Sequence, residues 1–371
     1  MTNDLLRELS ELRPGSPTVL SLYLDLDPSQ FATGEARESA VTSLLDGAHR
    51  AIESSDAGHE HQQELRADLE DARAFFATDD YAEGARSVAL FCCRSAGLFR
   101  AEKLSHPVET RAYLGDHPAV EPLMGEPGPS EWGVLLVNRA AGRLLRGNRE
   151  KLEEEGTVHD EPHGSHGHAD VSEELKGHLD RVGESLRVAH GRRPFSALLL
   201  GGQSELLGLV EERLPEELRK LVGGHFTANV EHGGADDVLE AARPAMEEHE
   251  RRYVEEQLDR LRTGSAHGTG VLGLEDVLGA LNEHRVEVLM TDDYFDAAGV
   301  ECPSCGWLGL EGIESCPADG TATDPREATD PRERVAGPAM RRAAEQSARL
   351  LALGDREDLR PVGGIAAVLR F

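Results

Sequence analysis

Short apolar runs recur along this chain, each too brief for an ordinary helix and separated from the next by stretches with helical spacing. They include Val19-Leu20-Ser21-Leu22-Tyr23-Leu24, Trp132-Gly133-Val134-Leu135-Leu136-Val137, Phe195-Ser196-Ala197-Leu198-Leu199-Leu200 and Val286-Glu287-Val288-Leu289-Met290. Residues 87–93, 98–104 and 364–371 have the same character, and 225–230 reads as a further strand. Runs of this length between Gly and Pro breakers are strands. Residues 35–52, 59–76, 204–214, 216–221, 236–261, 273–284 and 339–351 instead carry apolar side chains at helical spacing. Strands alternating with helices restrict the chain to the α/β class. Breaker-rich stretches at 115–129 and at Gly264-Ser265-Ala266-His267-Gly268 divide it into three α/β domains, 1–126, 132–263 and 264–371. The middle sheet is expected to be mainly parallel.

Charge narrows the function classes. The 371 residues carry 39 Lys plus Arg against 69 Asp plus Glu, a formal net charge of −30. That balance opposes nonspecific attraction to nucleic acid or anionic membrane, though it leaves room for a local basic patch. No apolar run is long enough to span a bilayer, and Met1-Thr2-Asn3-Asp4-Leu5-Leu6-Arg7 has no basic-then-apolar leader pattern. The expectation is a soluble cytoplasmic protein that binds neither membrane nor DNA.

The middle segment holds the stretch least like scaffold. After the strand at Trp132, Gly142 permits a turn and Arg143-Leu144-Leu145-Arg146 returns as a hairpin arm. Residues 156–168 are polar, rich in Gly and His, and without apolar period, which predicts a long exposed loop. An amphipathic helix then runs through Leu175, Leu179, Val182 and Leu186, with Asp170 or Ser172 as candidate caps. His159, His163, His166 and His168 are closely spaced and His178 follows on the helix. Such imidazoles can bind a transition metal or gain charge below about pH 6.5, or simply belong to a solvated loop.

Five cysteines remain to be placed. Cys92 and Cys93 end an apolar run and read as core thiols. Cys302-Pro303-Ser304-Cys305-Gly306 is the first half of a zinc knuckle. Cys316-Pro317-Ala318-Asp319-Gly320 repeats the frame with Asp where a fourth Cys would stand. Residues 301–320 therefore form a small insertion whose candidate ligands are Cys302, Cys305, Cys316 and Asp319. A structural zinc, a metal-free relic of a knuckle and a redox role are all compatible with that string. An odd cysteine count argues against a disulfide framework. Residues 323–334 repeat a polar unit and are expected to be a linker.

Several strings together resemble the archaeo-eukaryotic class-I peptide-chain release factor family, which includes pelota and divergent bacterial members. Leu359-Arg360-Pro361-Val362-Gly363-Gly364-Ile365-Ala366-Ala367-Val368-Leu369-Arg370-Phe371 is similar to the family's carboxyl-terminal pattern. Residues 272–281 with Val286-Glu287-Val288-Leu289 resemble the opening of the same domain, residues 132–148 the start of the middle domain, and residues 17–24 the first amino-terminal strand. The resemblance implies three α/β domains arranged as in those factors, with a zinc-knuckle-like insertion in the third. It also implies a partner in the ribosome or tRNA, a translational GTPase bound through the third domain, and ester hydrolysis by a placed water at a Gly-Gly-Gln loop. At the matching position stand His163, Gly164, Ser165, His166, Gly167 and His168, with no glutamine. These loop residues are the catalytic candidates. The literal Gly201-Gly202-Gln203 follows a strand and reads as structural. The basic residues beside the family's loop are replaced by Glu153, Glu154, Glu155, Asp160 and Glu161, and its stop-codon string is missing from residues 30–43. The expected function is termination or ribosome rescue, with peptidyl-tRNA hydrolysis but no stop-codon reading. The alternative is a non-catalytic ribosome- or RNA-binding adaptor on the same scaffold.

Overall fold

A computed structural model describes residues 8–9, 19–27, 33–55, 58–78, 80–104, 106–123, 128–129, 131–159, 173–230, 233–292, 295, 297–325, 335–354 and 359–371. The chain forms two compact units, one from Met1–Pro127 with Val254–Phe371 and the other from Gly128–Tyr253. The first unit opens with β1 (Val19–Asp25), α1 (Gly34–Ser54), α2 (His59–Phe76), β2 (Ser87–Cys93), β3 (Leu98–Leu104) and β4 (Arg111–Gly115). The strands make an antiparallel sheet in the order β3-β2-β1-β4. Thr33 caps α1 by accepting the Ala36 N–H at 3.2 Å. Leu22, Leu24 and Leu90 meet Leu44, Ile52 and Leu69 of the two helices on one face. Tyr23, Ala89 and Phe91 point to the other face, where Leu123 and Ala344 bury them. The β4 strand overturns the expectation of a linker from residue 115, since Gly115 ends a strand paired with Val19.

The second unit contains β5 (Trp132–Val137), β6 (Ala141–Gly147), β7 (Leu152–His159), α3 (Glu173–Arg192), β8 (Ala197–Gly202), α4 (Ser204–Arg213), α5 (Glu216–Arg219), β9 (Val222–Phe226) and the start of α6 (Ala235–His267). Its sheet runs β7-β6-β5-β8-β9, antiparallel from β7 to β5 and parallel from β5 to β9. The sheet is thus only half parallel. Leu135, Val137 and Leu198 pack on Leu179, Val182 and Leu186 of α3. The opposite face sets Trp132, Leu136 and Leu199 against Val238, Ala242 and Met246 of α6. The hairpin forms, but its turn lies at 138–140 and Gly142 pairs with Val137 inside β6, and residues 156–159 belong to β7 and not to a loop. β7 is an edge strand with only Leu152 fully buried, so it carries no alternation to betray it. The helix α6 also runs through Gly264-Ser265-Ala266-His267, which the breaker reading would have ended earlier.

The chain closes the first unit with β10 (Gly270–Leu272), α7 (Leu274–Asn282), β11 (Val286–Thr291), β12 (Gly299–Glu301), β13 (Leu308–Leu310), β14 (Asp324–Pro325), α8 (Ala336–Glu345), β15 (Arg349–Ala352) and β16 (Ile365–Leu369). A sheet of order β10-β16-β11-β15 packs Val286, Leu289, Ile365 and Ala367 against Val277 and Leu281 of α7 and Ala339 and Ala343 of α8. The expected helix over 339–351 ends at Glu345. Ser347 takes φ +57°, and residues 349–352 return as a strand parallel to β11. The small sheet β13-β12-β14 carries the cysteine insertion. Its last strand takes Asp324 and Pro325 from the expected linker; residues 326–334 lie outside the described residues.

Candidate functional site

Two tight turns of the same design face each other in the insertion. In the first, the Gly306 N–H donates to the Cys302 carbonyl and the Cys302 N–H to the Trp307 carbonyl, each at 2.8 Å. In the second, the Gly320 N–H donates to the Cys316 carbonyl at 2.9 Å and the Cys316 N–H to the Thr321 carbonyl at 2.8 Å. Gly306 and Gly320 both adopt positive φ, +71° and +74°, which a side chain would resist. Each turn therefore aims the side chains of its first and fourth residues the same way. The four ligand atoms of Cys302, Cys305, Cys316 and Asp319 all lie within 4.8 Å of one another. The Cys305 and Cys316 sulfurs are 3.6 Å apart, and the Cys302 sulfur is 3.7 and 3.8 Å from the Asp319 carboxylate oxygens. All three thiols are free.

Electrostatics favour a cation there. Burial works to raise the Cys302 thiol, but N–H groups of Cys305 and Ser304 outweigh it and leave the thiol below its ordinary range. The Thr321 N–H holds the Asp319 carboxyl well below the usual carboxylate range. Desolvation and the neighbouring sulfurs push Cys305 up to about 11. Three sulfurs and a carboxylate at such spacing cannot all be anionic without a positive charge among them. The cluster can therefore hold a metal ion, as the spacing of the cysteines led one to expect.

The insertion is fixed to its domain at two points. The Asn282 side chain at the end of α7 donates to the Leu308 carbonyl at 2.8 Å and accepts its N–H at 2.9 Å. Arg341 of α8 reaches Glu301, next to Cys302, at 3.0 and 2.8 Å, and both residues are largely buried. Neither anchor has a sequence signal, because each joins residues at least 26 positions apart.

The polar stretch of the second unit divides differently from its sequence reading. His163, Gly164, His166, Gly167 and His168, with Asp160, Glu161 and the candidate caps Asp170 and Ser172, lie outside the described residues. Their flanks are described. His159 is exposed at the end of β7, whereas His178 is buried in the core-facing side of α3. The acidic run on β7 is matched by cations. Arg143 holds Glu154 at 3.1 Å and, with Thr157, keeps its carboxyl below the usual range. Arg146 holds Glu155 at 2.8 Å and Lys151 holds Glu153 at 3.0 Å. Arg146 is itself buried. It also donates to the Ala189 and Arg193 carbonyls and lies over the Phe195 ring at 4.2 Å, so it ties β6 and β7 to the end of α3.

Gly201-Gly202-Gln203 ends β8 and turns into α4. A Cβ on Gly201 would stand 2.5 Å from the Phe226 ring and 2.6 Å from Leu136, and one on Gly202 would overlap the Val137 carbonyl oxygen. Packing demands both glycines. Gln203 is the N-cap residue, and its exposed side chain makes no capping bond.

Residues 131–285 match the family described as bacterial archaeo-eukaryotic release factor family 3. Among solved structures, the chain is similar to an archaeal translation termination factor, aRF1, at 17% identity over 100% of this chain and 99% of that one, with TM-score 0.25. It is also similar to Archaeoglobus fulgidus Pelota (18% identity, 74% and 77% covered, TM-score 0.33). A third is S. cerevisiae Dom34, a translation termination-like factor of RNA quality control pathways that interacts with Hbs1 (10% identity, 77% and 80% covered, TM-score 0.43). No curated protein matches the sequence. Among the described residues, no helix is long and apolar enough to cross a membrane.

Proposed function

We propose that this chain is a cytoplasmic, ribosome-associated factor acting in translation termination or in rescue of stalled ribosomes, without reading stop codons. The observation that carries the reading is the family match over residues 131–285, which takes in β7, α3 and the polar residues between them. Ion pairing of Glu153, Glu154 and Glu155 supports it, because paired carboxylates repel a phosphate-rich partner far less than bare ones. In this reading His163, Gly164, His166, Gly167 and His168 approach the ester of peptidyl-tRNA. Release there depends on placing a water and on donors for the developing oxyanion, which glycine backbone and imidazole groups can supply without a protein nucleophile. Residues 264–371 form a third domain in this scheme and offer the surface for a translational GTPase.

The metal of the insertion is zinc in this reading. A tetrahedral ion with Zn–S bonds of about 2.3 Å sets its sulfurs roughly 3.8 Å apart. The observed Cys305–Cys316 separation of 3.6 Å fits that edge, and the Cys302–Asp319 distances of 3.7 and 3.8 Å stand slightly outside the roughly 3.5 Å of a sulfur–oxygen edge. When bound, the ion supplies cohesion to a two-turn insertion with little core of its own.

The test is peptide release from stalled ribosomal complexes, with co-sedimentation measured alongside. Release by the native chain and its loss in His166→Ala and His168→Ala support hydrolysis. Co-sedimentation without release leaves a non-catalytic adaptor, and neither result overturns the ribosomal reading.

A further inference from the structure

We propose that Cys305 and Cys316 form a reversible disulfide that exchanges with the metal ion as the link between the two turns of the insertion. The inference rests on reading the four-residue cluster as a metal site. Each turn is fixed by its own backbone hydrogen bonds, so the ion is not needed to shape either one. What it supplies is the connection between them. The Cys305–Cys316 pair supplies the same connection, because one sulfur comes from each turn and the two already stand 3.6 Å apart. Closing that gap to the roughly 2.05 Å of a disulfide needs a displacement smaller than one bond length.

Accessibility sets the order of events. Cys305 is exposed, Cys316 is buried directly behind it, and Cys302 is buried against the Asp319 carboxylate. A hydroperoxide therefore meets the Cys305 sulfur first. That sulfur attacks the O–O bond, one oxygen stays as the sulfenic acid, and the other leaves as hydroxide. The Cys316 sulfur then attacks the Cys305 sulfur, the S–O bond breaks, and the second oxygen leaves as hydroxide. Protons from solvent convert both hydroxides to water. Two thiolates lose two electrons in all, the peroxide gains them, and the metal loses two of its four donors and departs.

Asp319 gives this site its particular outcome. A four-cysteine site can close two disulfides, whereas here the carboxylate cannot be oxidised and Cys302 keeps no sulfur partner. One bridge forms and one thiol survives, ready for reduction and metal uptake. Cys92 and Cys93 do not compete. They are adjacent on β2, point to opposite faces of the sheet, and are both buried.

The experiment uses the full chain purified with its metal and treated with hydrogen peroxide. Zinc release is read with a chromogenic chelator and the bridge by peptide mapping. About one zinc released per Cys305–Cys316 bridge is expected, with Cys302, Cys92 and Cys93 still reduced and dithiothreitol plus zinc restoring the start. Cys302→Ser should still form the bridge and Cys305→Ser should not; mapping of the unaltered chain decides if a variant fails to fold. Retained zinc with no bridge, or a bridge that takes in Cys302, overturns the exchange and leaves the metal reading standing. A chain that takes up no zinc removes the metal reading and the exchange with it.

Discussion

Replacing Gly202 by Ala should cripple the second unit, while replacing Gln203 by Ala should leave it intact. Gly202 sits at φ +152°, in a region nearly closed to side chains, and its Cβ would overlap the Val137 carbonyl oxygen across the parallel pair β5–β8. Backbone strain of this kind costs about 1–3 kcal/mol. Overpacking against a backbone atom that cannot rotate away adds about 1–3 kcal/mol more. The sum, roughly 2–6 kcal/mol, corresponds to a fall in urea midpoint on the order of 1–3 M for a slope near 2 kcal/mol/M. Gln203 is exposed and unbonded at the helix start, so its truncation should stay within about 0.5 kcal/mol. The assay is urea unfolding followed by fluorescence of Trp132, which is fully buried beside β8, in a Trp307→Phe background that silences the second of the two tryptophans. Peptide release is measured on the same proteins. If Gln203→Ala abolishes release at unchanged stability, the literal Gly-Gly-Gln is a working element and the reasoning fails. A Gly202→Ala chain as stable as the parent would refute the packing argument.

Arg146→Ala should cost about 3–5 kcal/mol in the same unfolding assay, because it removes the partner of Glu155 and the side-chain donor to the Arg193 carbonyl from a buried site, while Arg193 still holds Glu131. The pH profile should report His249, whose imidazole is held below its ordinary range by burial and then by Arg252. The unfolded chain binds that proton first, so stability of the second unit should fall as pH drops from about 7 toward 5. His249→Gln should flatten that slope, and an unchanged profile would count against it. Chelation of zinc, or Cys302→Ser, should release backbone amides of 299–323 to hydrogen exchange while those of β11 and β16 stay protected. Asn282→Ala should speed exchange at Leu308 even with zinc bound, since the side chain that holds that peptide group is gone.

Strands buried on both faces were the most legible part of the fold. Ser87–Cys93 and Ile365–Leu369 are continuous apolar runs, and burial on both sides is what such runs report. Edge strands were less legible, although β3, itself an edge, was expected at 98–104. β4, β7 and β15 each pair on one side only; β4 meets β1 across 88–96 positions and β15 meets β11 across 61, while β7 pairs with the neighbouring arm but is exposed along most of its length. The metal cluster was readable because a knuckle is local: its hydrogen bonds span four or five residues, so the spacing of Cys302, Cys305, Cys316 and Asp319 already contains the geometry. The anchors that hold it, Asn282 and Arg341, arise only when distant elements meet. The acidic run 153–155 misled because composition shows three carboxylates and hides the three cations across the hairpin and along the strand.

The sheet of β1 to β4 is finished early in synthesis, yet Ala344, which helps cover Tyr23 and Phe91, is added far later. At about 5–20 residues per second, the roughly 230 residues between β4 and that alanine keep a ribosome occupied for some 10–50 s. Throughout that interval a nascent chain carries this face covered by Leu9, Val120 and Leu123 but without Ala344. Vectorial synthesis thus leaves one seam of this sheet to be closed only when the carboxyl-terminal segment arrives.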